Sequence, residues 1–336
     1  MEKASIAVIG TTTWGTTLAI INARMGKAVT LITRTDEEAS QLVSAGENTR
    51  FLPGKKFPKN LNVTNRIGTV IPQVKIVLIA VPSATFRKNI NLIADIIPTD
   101  SIIVIATKGL EYSTGKRMSE IAYEEVGDRN GISVCSMSGP NLANEIIMNK
   151  PSSTVIACTQ PSVSHKVQSI LKTDNLRIYT NTDVIGVEIS GAVKNTIAIA
   201  AGISDGLELG NNAKASLITR GLSEITRLGT ALGAKRNTFY GLSGMGDLIA
   251  TCSSPLSRNN QVGRMLAQGM SITEIKGQMD NVAEGIDTTK AIVEISKNKN
   301  LELPIAEAVN QVITGSSSAV EAVKNLMLRD SKSEIT

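Results

Sequence analysis

The chain has 336 residues, of which 42% are apolar, 19% are charged and 3% are aromatic. That length exceeds what one hydrophobic core usually serves, so we expect a soluble globular protein of two domains. The net charge of +5 comes from basic and acidic residues spread along the whole chain. Since a nucleic-acid-binding protein needs a basic stripe, we expect no nucleic-acid partner, and the balance suits a protein that handles small anions.

The cysteines and the N-terminus favour a cytoplasmic protein without a metal site. Cys135, Cys158 and Cys252 lie far apart and form no Cys-x-x-Cys pair, so neither a zinc site nor a redox motif is indicated. An odd number of cysteines without a secretory signal indicates reduced thiols. Glu2 and Lys3 lead directly into an apolar run, so we expect no signal peptide.

The most apolar long segment, 184–203, is not expected to cross a membrane, because it carries Glu188 and Lys194. We therefore expect no membrane insertion. The single histidine, His165, lies near the start of an amphipathic helical pattern, and we expect it on the solvated surface. The acid–base group of any enzyme activity would then not be an imidazole, which argues against Ser/His and Cys/His catalysis.

The first half of the chain alternates short β-branched runs with helical patterns. Near-continuous apolar strands separated by helices are typical of a parallel sheet covered on both faces. The prolines and lysines of 51–64 indicate a long exposed connection. The predicted strands are 5–10, 28–34, 75–81, 101–107, 132–139 and 153–158.

From about residue 181 the pattern is helical almost throughout. We therefore expect an α/β protein, with a Rossmann-like doubly wound N-terminal domain over residues 1–185 and an all-helical C-terminal domain over residues 186–336. A ligand would bind at the carboxyl ends of the strands, where the helical domain closes a cleft. The predicted helices are 183–204, 213–233, 258–269, 284–297, 304–314 and 318–328.

The loop after the first strand, residues 10–15, has the sequence GTTTWG. A dinucleotide-binding fold has Gly-x-Gly-x-x-Gly there, in which the first glycine permits the turn, the second admits the pyrophosphate and the third lets the helix pack on the strand. Gly10 and Gly15 fill the first and third positions, but Thr12 stands at the second. Taken alone, the loop suits a cofactor site and a packed turn equally.

The end of the second predicted strand bears on which cofactor binds. A carboxylate there bonds the 2′-hydroxyl of NAD, whereas a cation beside a hydroxyl suits the 2′-phosphate of NADP. The sequence LITRTD places Arg34 at the strand end and Asp36 two residues later. We therefore expect NADP(H) to be slightly favoured and NAD(H) to be tolerated; the alternative for Arg34 is a solvated loop cation.

Polar residues also follow later strands or lie on an apolar helix. Lys108 comes directly after the strand 101–107, and Gly139 and Asn141 follow the strand 132–139 in the same layer. Lys194 shares its helical face with small and apolar residues, so its ammonium group either extends to solvent or stays in a cleft.

Two further stretches carry charge near glycines or a helix start. Asp247 is preceded by the glycine-rich segment 241–246. Ser257, Arg258 and Asn259 begin a helix and together offer hydroxyl, guanidinium, amide and backbone N–H donors, which suit a phosphate group. An ordinary helix N-cap is the alternative.

These motifs, in this order, resemble the bacterial-type NAD(P)-dependent sn-glycerol-3-phosphate dehydrogenases over nearly the whole chain. The resemblance implies an oxidoreductase that interconverts dihydroxyacetone phosphate and sn-glycerol 3-phosphate for phospholipid synthesis. The chain is also compatible with a homodimer. The matching blocks are FLPG (51–54), AVPS (80–83), ATKGLE (106–111), SGP (138–140), GAVKN (191–195), KASLITRGLSE (214–224), GMGDL (244–248), SRN (257–259), VAEG (282–285) and LPIAEAV (303–309).

The resemblance also implies roles for single residues. Lys194 would give the substrate oxygen its proton as hydride reaches C2, and we interpret Lys108 and Asp247 as the other catalytic residues. Burial and Lys108 would lower the pKa of Lys194, whereas Asp247 would raise it. The substrate-binding residues that the resemblance implies are Lys108, Gly139, Lys194, Asp247, Ser257, Arg258 and Asn259, to which we add Asn141 from its place after Ser–Gly–Pro. The cofactor-binding residues that the resemblance implies are Thr13, Trp14, Arg34, Lys108, Ala143, Arg258, Val282 and Glu284, and the loop after the first strand adds Gly10, Thr12 and Gly15.

Three residues depart from the family pattern, namely Thr12, Asn141 and Leu142. Asn141 and Leu142 bear on the positioning of the substrate. At Thr12 the side chain would either push the pyrophosphate outward or donate a hydrogen bond to it. Two other functions stay open: a catalytically impaired metabolite-binding protein of the same fold, and a related 2-hydroxyacid or sugar-acid dehydrogenase.

Overall fold

An eight-stranded sheet runs through the N-terminal part of the protein. The structure is a computed structural model, and it describes residues 5–127, 131–255, 257–279, 283–330 and 333. The strand order is β3-β2-β1-β4-β5-β6-β7-β8. The strands are β1 (Ile6–Ile9), β2 (Val29–Ile32), β3 (Leu61–Thr64), β4 (Ile76–Ile79), β5 (Ile102–Ile105), β6 (Ser133–Ser138), β7 (Ser152–Ala157) and β8 (Leu176–Asn181).

The six predicted strands are present as β1, β2 and β4 to β7, but sequence reasoning missed β3 and β8. The interpretation of 51–64 as an exposed connection was wrong at its end, because 61–64 pairs in parallel with β2. Both missed strands lie at the sheet edges, and of β3 only Leu61 is buried. An edge strand with few buried residues lacks the continuous apolar run that identified the others.

The sheet is not parallel throughout, which corrects a second expectation. β6 and β7 pair antiparallel, with Ser136 opposite Ala157, whereas the other neighbouring strands are parallel. Between them lies one helix, Ala143–Ile147. A five-residue helix spans about 7.5 Å, while a six-residue strand spans about 20 Å, so this connection is too short for a crossover.

Helices cover both faces of the sheet, as the apolar strands predict. Ile6 and Val8 point into one apolar layer, and Ala7 and Ile9 point into the other. Strands β1, β4 and β5 are buried over their whole length. The helices of this part are α1 (Thr13–Arg24), α2 (Asp36–Ala45), α3 (Ile67–Val70), α4 (Ser83–Ala94), α5 (Met118–Val126), α6 (Ala143–Ile147) and α7 (Pro161–Leu171), with a 3₁₀ turn at Ile71–Gln73.

The described residues after β8 are helical, and the helix Val184–Gly206 forms their centre. Asp183 caps that helix by accepting a hydrogen bond from the Gly186 N–H at 2.9 Å. The helices are α8 (Val184–Gly206), α9 (Gly210–Ala231), α10 (Asp247–Ser253), α11 (Arg258–Ala267), α12 (Ile272–Gln278), α13 (Gly285–Asn298), α14 (Pro304–Thr314) and α15 (Ala319–Met327). A 3₁₀ helix, Arg236–Tyr240, and a π-helical turn, Leu242–Gly246, precede α10.

Helices α8 and α11 cross at backbone contact. A Cβ atom at Gly202 would overlap the carbonyl oxygen of Asn260, and one at Gly263 would overlap that of Ile199. Only glycine permits this approach at either position. The crossing fixes the start of α11 relative to the middle of α8.

The length and composition of α8 are also those of a membrane span, but 83% of its most apolar window is buried inside the protein. Such burial is typical of the core helix of a globular protein. The boundary predicted between residues 185 and 186 falls in the first turn of α8 and stays a prediction. Cys135, Cys158 and Cys252 are free and buried, and His165 is exposed on α7.

Candidate active site

The carboxylate of Asp247 is shared by two lysines. Its Oδ2 accepts a hydrogen bond from Lys108 Nζ at 2.7 Å, and its Oδ1 accepts one from Lys194 Nζ. Lys194 is only 6% exposed and Asp247 only 1%. The three residues predicted to be catalytic therefore meet in one buried cluster, and the alternative that Lys194 extends to solvent is wrong.

Three separate elements bring these side chains together. Lys108 follows β5 at the carboxyl edge of the sheet, Lys194 lies in the middle of α8, and Asp247 is the first residue of α10. The hydroxyl of Thr107 donates to Val81 O at 2.8 Å, which fixes the chain at the end of β5. The cluster thus forms where the helical part meets the carboxyl ends of the strands.

The charges of the cluster act against one another at Lys194. Burial lowers the pKa of Lys194 to about 8, the Asp247 carboxylate raises it, and the Lys108 ammonium lowers it further. Loss of hydration disfavours the charged amine, and only partial compensation comes from a carboxylate that also binds Lys108. Lys194 can therefore hold or release a proton close to neutral pH.

Thr251 belongs to the cluster but was not predicted. Its Oγ1 accepts a hydrogen bond from Lys194 Nζ at 2.6 Å and lies 2.7 Å from Asp247 O, to which its proton is donated. Thr251 and Asp247 are four residues apart on α10 and so share a face. The four-residue spacing of Asp247 and Thr251 could be read from the sequence. The position of Lys194 opposite them could not.

Gly139 and Asn141 follow β6, and Gly139 contacts Lys108. Gly139 O accepts a hydrogen bond from Lys108 Nζ at 2.9 Å. Asn141 Nδ2 donates to Thr154 Oγ1 at 3.1 Å, while its Oδ1 is buried without a partner among the described residues. A buried acceptor of this kind is expected to meet a donor once a ligand binds.

The residues at the start of α11 are partly used for structure. Ser257 caps α11, since its hydroxyl accepts a hydrogen bond from the Asn260 N–H. Asn259 Oδ1 accepts a hydrogen bond from the Gly285 N–H at 3.1 Å, which ties α11 to α13. The N-cap alternative is therefore right for the Ser257 hydroxyl. Among Ser257, Arg258 and Asn259, the charged side chain is that of Arg258.

Glu284 lies near Arg258 and precedes α13. Its Oε1 accepts a hydrogen bond from the Ser83 N–H, at the start of α4, at 3.2 Å. Burial raises the pKa of Glu284 to about 7, against the opposing effects of Arg258, Lys108 and Lys194. Glu284 therefore connects the helical part to the end of β4 within reach of the same cations.

The side chain of Thr12 turns towards the protein. Its hydroxyl donates to Ala80 O, directly after β4, at 2.8 Å and accepts a hydrogen bond from the Gly15 N–H at 3.1 Å. Thr12 thus caps α1, and its φ of −61° is an ordinary one. The hydroxyl proton is already used, so the expectation that it is donated to a phosphate oxygen finds no support.

The rest of this loop fits a dinucleotide. Gly10 has a φ of +111°, and a Cβ atom there would lie 2.6 Å from Ala80 O. Thr13 and Trp14 form the first turn of α1, where backbone N–H groups have no acceptor within the helix. Trp14 Nε1 is buried and has no partner among the described residues. These N–H groups and Trp14 Nε1 are the donors that a bound cofactor would meet at this loop.

The remaining predicted cofactor residues are more scattered. The Arg34 side chain is 76% exposed at the end of β2, with its Nε 3.7 Å from Glu38 Oε2. Ala143 is the first residue of α6, a helix that packs against α1. Val282 lies outside the described residues.

Two family models together match most of the chain. One is described as the N-terminus of NAD-dependent glycerol-3-phosphate dehydrogenase and matches residues 5–164. The other is described as the C-terminus of the same enzyme and matches residues 183–324. The chain belongs to the NAD-dependent glycerol-3-phosphate dehydrogenase family.

Similar proteins agree with that membership. A protein of Dehalococcoides mccartyi named glycerol-3-phosphate dehydrogenase [NAD(P)+] is 44% identical over 333 residues, 99% of this chain and 93% of its own length. A protein of the same name from Chlorobium limicola is 42% identical over 98% of this chain and 99% of its own. The crystal structure of a glycerol-3-phosphate dehydrogenase from Coxiella burnetii is 34% identical, with a TM-score of 0.93 over 97% of this chain and 99% of its own.

Membership in the glycerol-3-phosphate dehydrogenase family confirms the resemblance and the predicted fold class. It also argues against a 2-hydroxyacid or sugar-acid dehydrogenase, because both halves of the chain match the glycerol-3-phosphate dehydrogenase family. Lys108, Lys194 and Asp247 lie within the residues that the two family models match.

Proposed function

We propose that the protein catalyses the NAD(P)-dependent interconversion of dihydroxyacetone phosphate and sn-glycerol 3-phosphate. The observation that carries the proposal is the pair of lysines on Asp247, buried Lys194 and half-buried Lys108, placed at the sheet edge that also holds the glycine loop. Family membership indicates the reaction, and this cluster supplies the proton and the charge that the reaction needs. The product would enter the synthesis of glycerophospholipids.

Lys194 is the proton donor in the direction of ketone reduction. Negative charge develops on the C2 oxygen as the ketone is reduced, and the Lys194 ammonium gives that oxygen a proton. In the reverse direction the neutral amine takes the proton, which a pKa of about 8 permits. Asp247 orients the amine, and Lys108 adds positive charge beside the oxygen.

Arg258 and the backbone N–H groups that begin α11 bind the substrate phosphate. An arginine side chain matches phosphate oxygens in a bidentate manner, and a helix N-terminus favours an anion. Ser257 and Asn259 hold that helix end through their own hydrogen bonds. Gly139 and Asn141 complete the substrate site beside Lys108.

The cofactor, when bound, supplies the hydride. Gly10, Gly15 and the N–H groups of Thr13 and Trp14 would hold its pyrophosphate. The exposed Arg34 favours the 2′-phosphate, so NADP(H) is slightly preferred and NAD(H) is used as well. The family pattern further assigns Lys108, Ala143, Arg258, Val282 and Glu284 to the lining of the cofactor site, and the position of Thr12 in the loop adds this residue.

The proposal extends to the domain division, the location and the partners of the protein. The domains are residues 1–185 and 186–336. The protein acts in the cytoplasm, without a nucleic-acid partner, membrane insertion or a metal, and a homodimer is compatible with its sequence. Burial of α8 inside the protein supports the absence of membrane insertion.

Oxidation of NADH and NADPH in the presence of dihydroxyacetone phosphate tests the proposal. We expect turnover by the wild type and a loss of roughly 10²–10⁴ in kcat for Lys194→Ala, the usual contribution of a general acid. Lys27→Ala is the matched control, because burial also lowers the pKa of Lys27 to about 8 but the residue lies at the amino end of β2. It should keep wild-type kcat.

The outcomes separate the alternatives. A folded wild type that binds NADH without turnover would identify a catalytically impaired metabolite-binding protein. Full turnover by Lys194→Ala would refute the role of Lys194 as proton donor.

A further inference from the structure

Both carboxylate oxygens of Glu38 are held at the cofactor edge of the sheet. Thr11 Oγ1, in the glycine loop, donates to Glu38 Oε1 at 2.5 Å. The backbone N–H of Arg34, just after β2, donates to Glu38 Oε2 at 3.0 Å. The Glu38 side chain is only 20% exposed, so the carboxylate is fixed between the ends of β1 and β2.

This is where the dinucleotide fold receives the adenosine ribose. In that fold the pyrophosphate lies on the loop after the first strand, and a carboxylate at the end of the second strand bonds the ribose 2′-hydroxyl. No carboxylate stands at the end of β2 here, because Arg34 follows Thr33. Glu38 reaches the same crevice from the first turn of α2.

The anchoring leaves Glu38 able to accept more hydrogen bonds. A carboxylate has about four acceptor positions, and Thr11 and the Arg34 N–H use two of them. The Arg34 guanidinium lies 3.7 Å away and is mostly exposed. A 2′-hydroxyl can therefore donate to Glu38, whereas a 2′-phosphate would meet a fixed negative charge beside the arginine that attracts it.

We propose that Glu38 is a selectivity-determining residue that favours the 2′-hydroxyl of NAD(H) and opposes the 2′-phosphate of NADP(H). Its effect on cofactor preference is opposite to that of Arg34. The inference rests on the proposed use of both cofactors. Arg34 alone would favour the phosphorylated cofactor strongly, and Glu38 limits that preference. Thr11 acts as a positioning residue for Glu38.

Binding of cofactor fragments tests this without turnover. Calorimetric titration with ADP-ribose and with 2′-phospho-ADP-ribose gives the ratio of the two dissociation constants for the wild type, Glu38→Gln and Glu37→Gln. Glu37 is the matched control, since it carries the same charge one residue earlier but is exposed on α2. Low ionic strength is needed, because the Debye length is only about 10 Å at 0.1 M salt.

We expect Glu38→Gln to shift this ratio towards 2′-phospho-ADP-ribose by roughly tenfold, as the loss of one like charge near the phosphate predicts. Glu37→Gln should shift it by less than about twofold, since its charge is screened by solvent. The kcat/KM ratio for NADPH over NADH should change in the same direction. A ratio within one variant is insensitive to a general loss of stability.

An unchanged ratio in Glu38→Gln, or an equal shift in Glu37→Gln, would overturn the inference. Loss of both fragments by a folded Glu38→Gln would also overturn it, because Glu38 would then serve only to hold the loop. These results are distinct from a failure of the proposed function, which would appear as absent turnover in the wild type.

Discussion

The ammonium group of Lys194 donates to the hydroxyl of Thr251 at 2.6 Å. With Asp247 as its second acceptor, the ammonium uses two of its three N–H donors inside the protein. The third remains for the substrate oxygen. Helix α10 therefore fixes the Lys194 amine, and under the proposed mechanism it sets the direction in which the proton is delivered.

Thr251→Val should impair catalysis more than binding. Valine keeps the shape but removes the acceptor, and a hydrogen bond to a charged group contributes about 1.5–3 kcal/mol. We expect kcat to fall roughly 10- to 100-fold with little change in the KM for the substrate. Thr251→Ser keeps the hydroxyl and should retain most of the rate in steady-state assays; equal losses in both variants would contradict the role of the hydroxyl.

The two reaction directions should depend on pH with opposite signs. Oxidation of glycerol 3-phosphate needs the neutral amine of Lys194, so its rate should rise as the pH passes through about 8. Reduction of the ketone needs the ammonium form, so its rate should fall over the same range. Initial rates in both directions between pH 6 and 10, roughly two units either side of that pKa, check this, and parallel profiles would refute it.

Asp247→Asn should move the midpoint of the oxidation profile to lower pH. The Asp247 carboxylate raises the pKa of Lys194, and its loss leaves burial and Lys108, which both lower it. We expect a shift of about one unit or more, since an opposite charge in contact shifts a pKa by about 1–3 units. Asp205→Asn is the control, because Asp205 also binds a lysine, Lys214, at 2.9 Å; an equal shift there would remove the specific role of Asp247.

Thr12→Val should lower stability although it preserves the shape of the side chain. It removes the cap of α1 and the hydrogen bond to Ala80 O, and an N-cap contributes typically about 1 kcal/mol. Thr12→Ser should unfold like the wild type in thermal denaturation. The single tryptophan, Trp14, gives a fluorescence signal next to the change, and an unaltered melting temperature in Thr12→Val would contradict the capping role.

The sequence predicted the buried parts of the sheet and the charged members of the site. Continuous apolar runs identify strands such as β4 and β5, and Lys194 stands out because an amine on an apolar helix face needs an explanation. The edge strands β3 and β8 lack that run, and the antiparallel β7 depends on the length of α6 rather than on its own residues. These features follow from neighbours in space, which periodicity does not report.

Side-chain direction was the other limit on prediction. The sequence leaves open whether the Thr12 side chain pushes the cofactor pyrophosphate outward or donates to it. In the structure its hydroxyl turns back and donates to Ala80 O. Thr251 and Glu38 are ordinary helix residues until the fold brings Lys194 and Thr11 to them. Sequence motifs therefore identified the charged residues and the glycines. The residues that orient them could be found only from the three-dimensional structure.

The glycine crossing of α8 and α11 fixes the position of Lys194, the proposed proton donor, relative to the start of α11, the proposed phosphate site. Gly202 and Gly263 bring the two backbones into contact two turns from Lys194, and no flexible side chain lies between them to absorb a shift. Under the proposed mechanism, this crossing sets the distance between the group that protonates the carbonyl oxygen and the group that binds the phosphate. Analogues one carbon longer or shorter should be rejected even when they carry the same two functional groups.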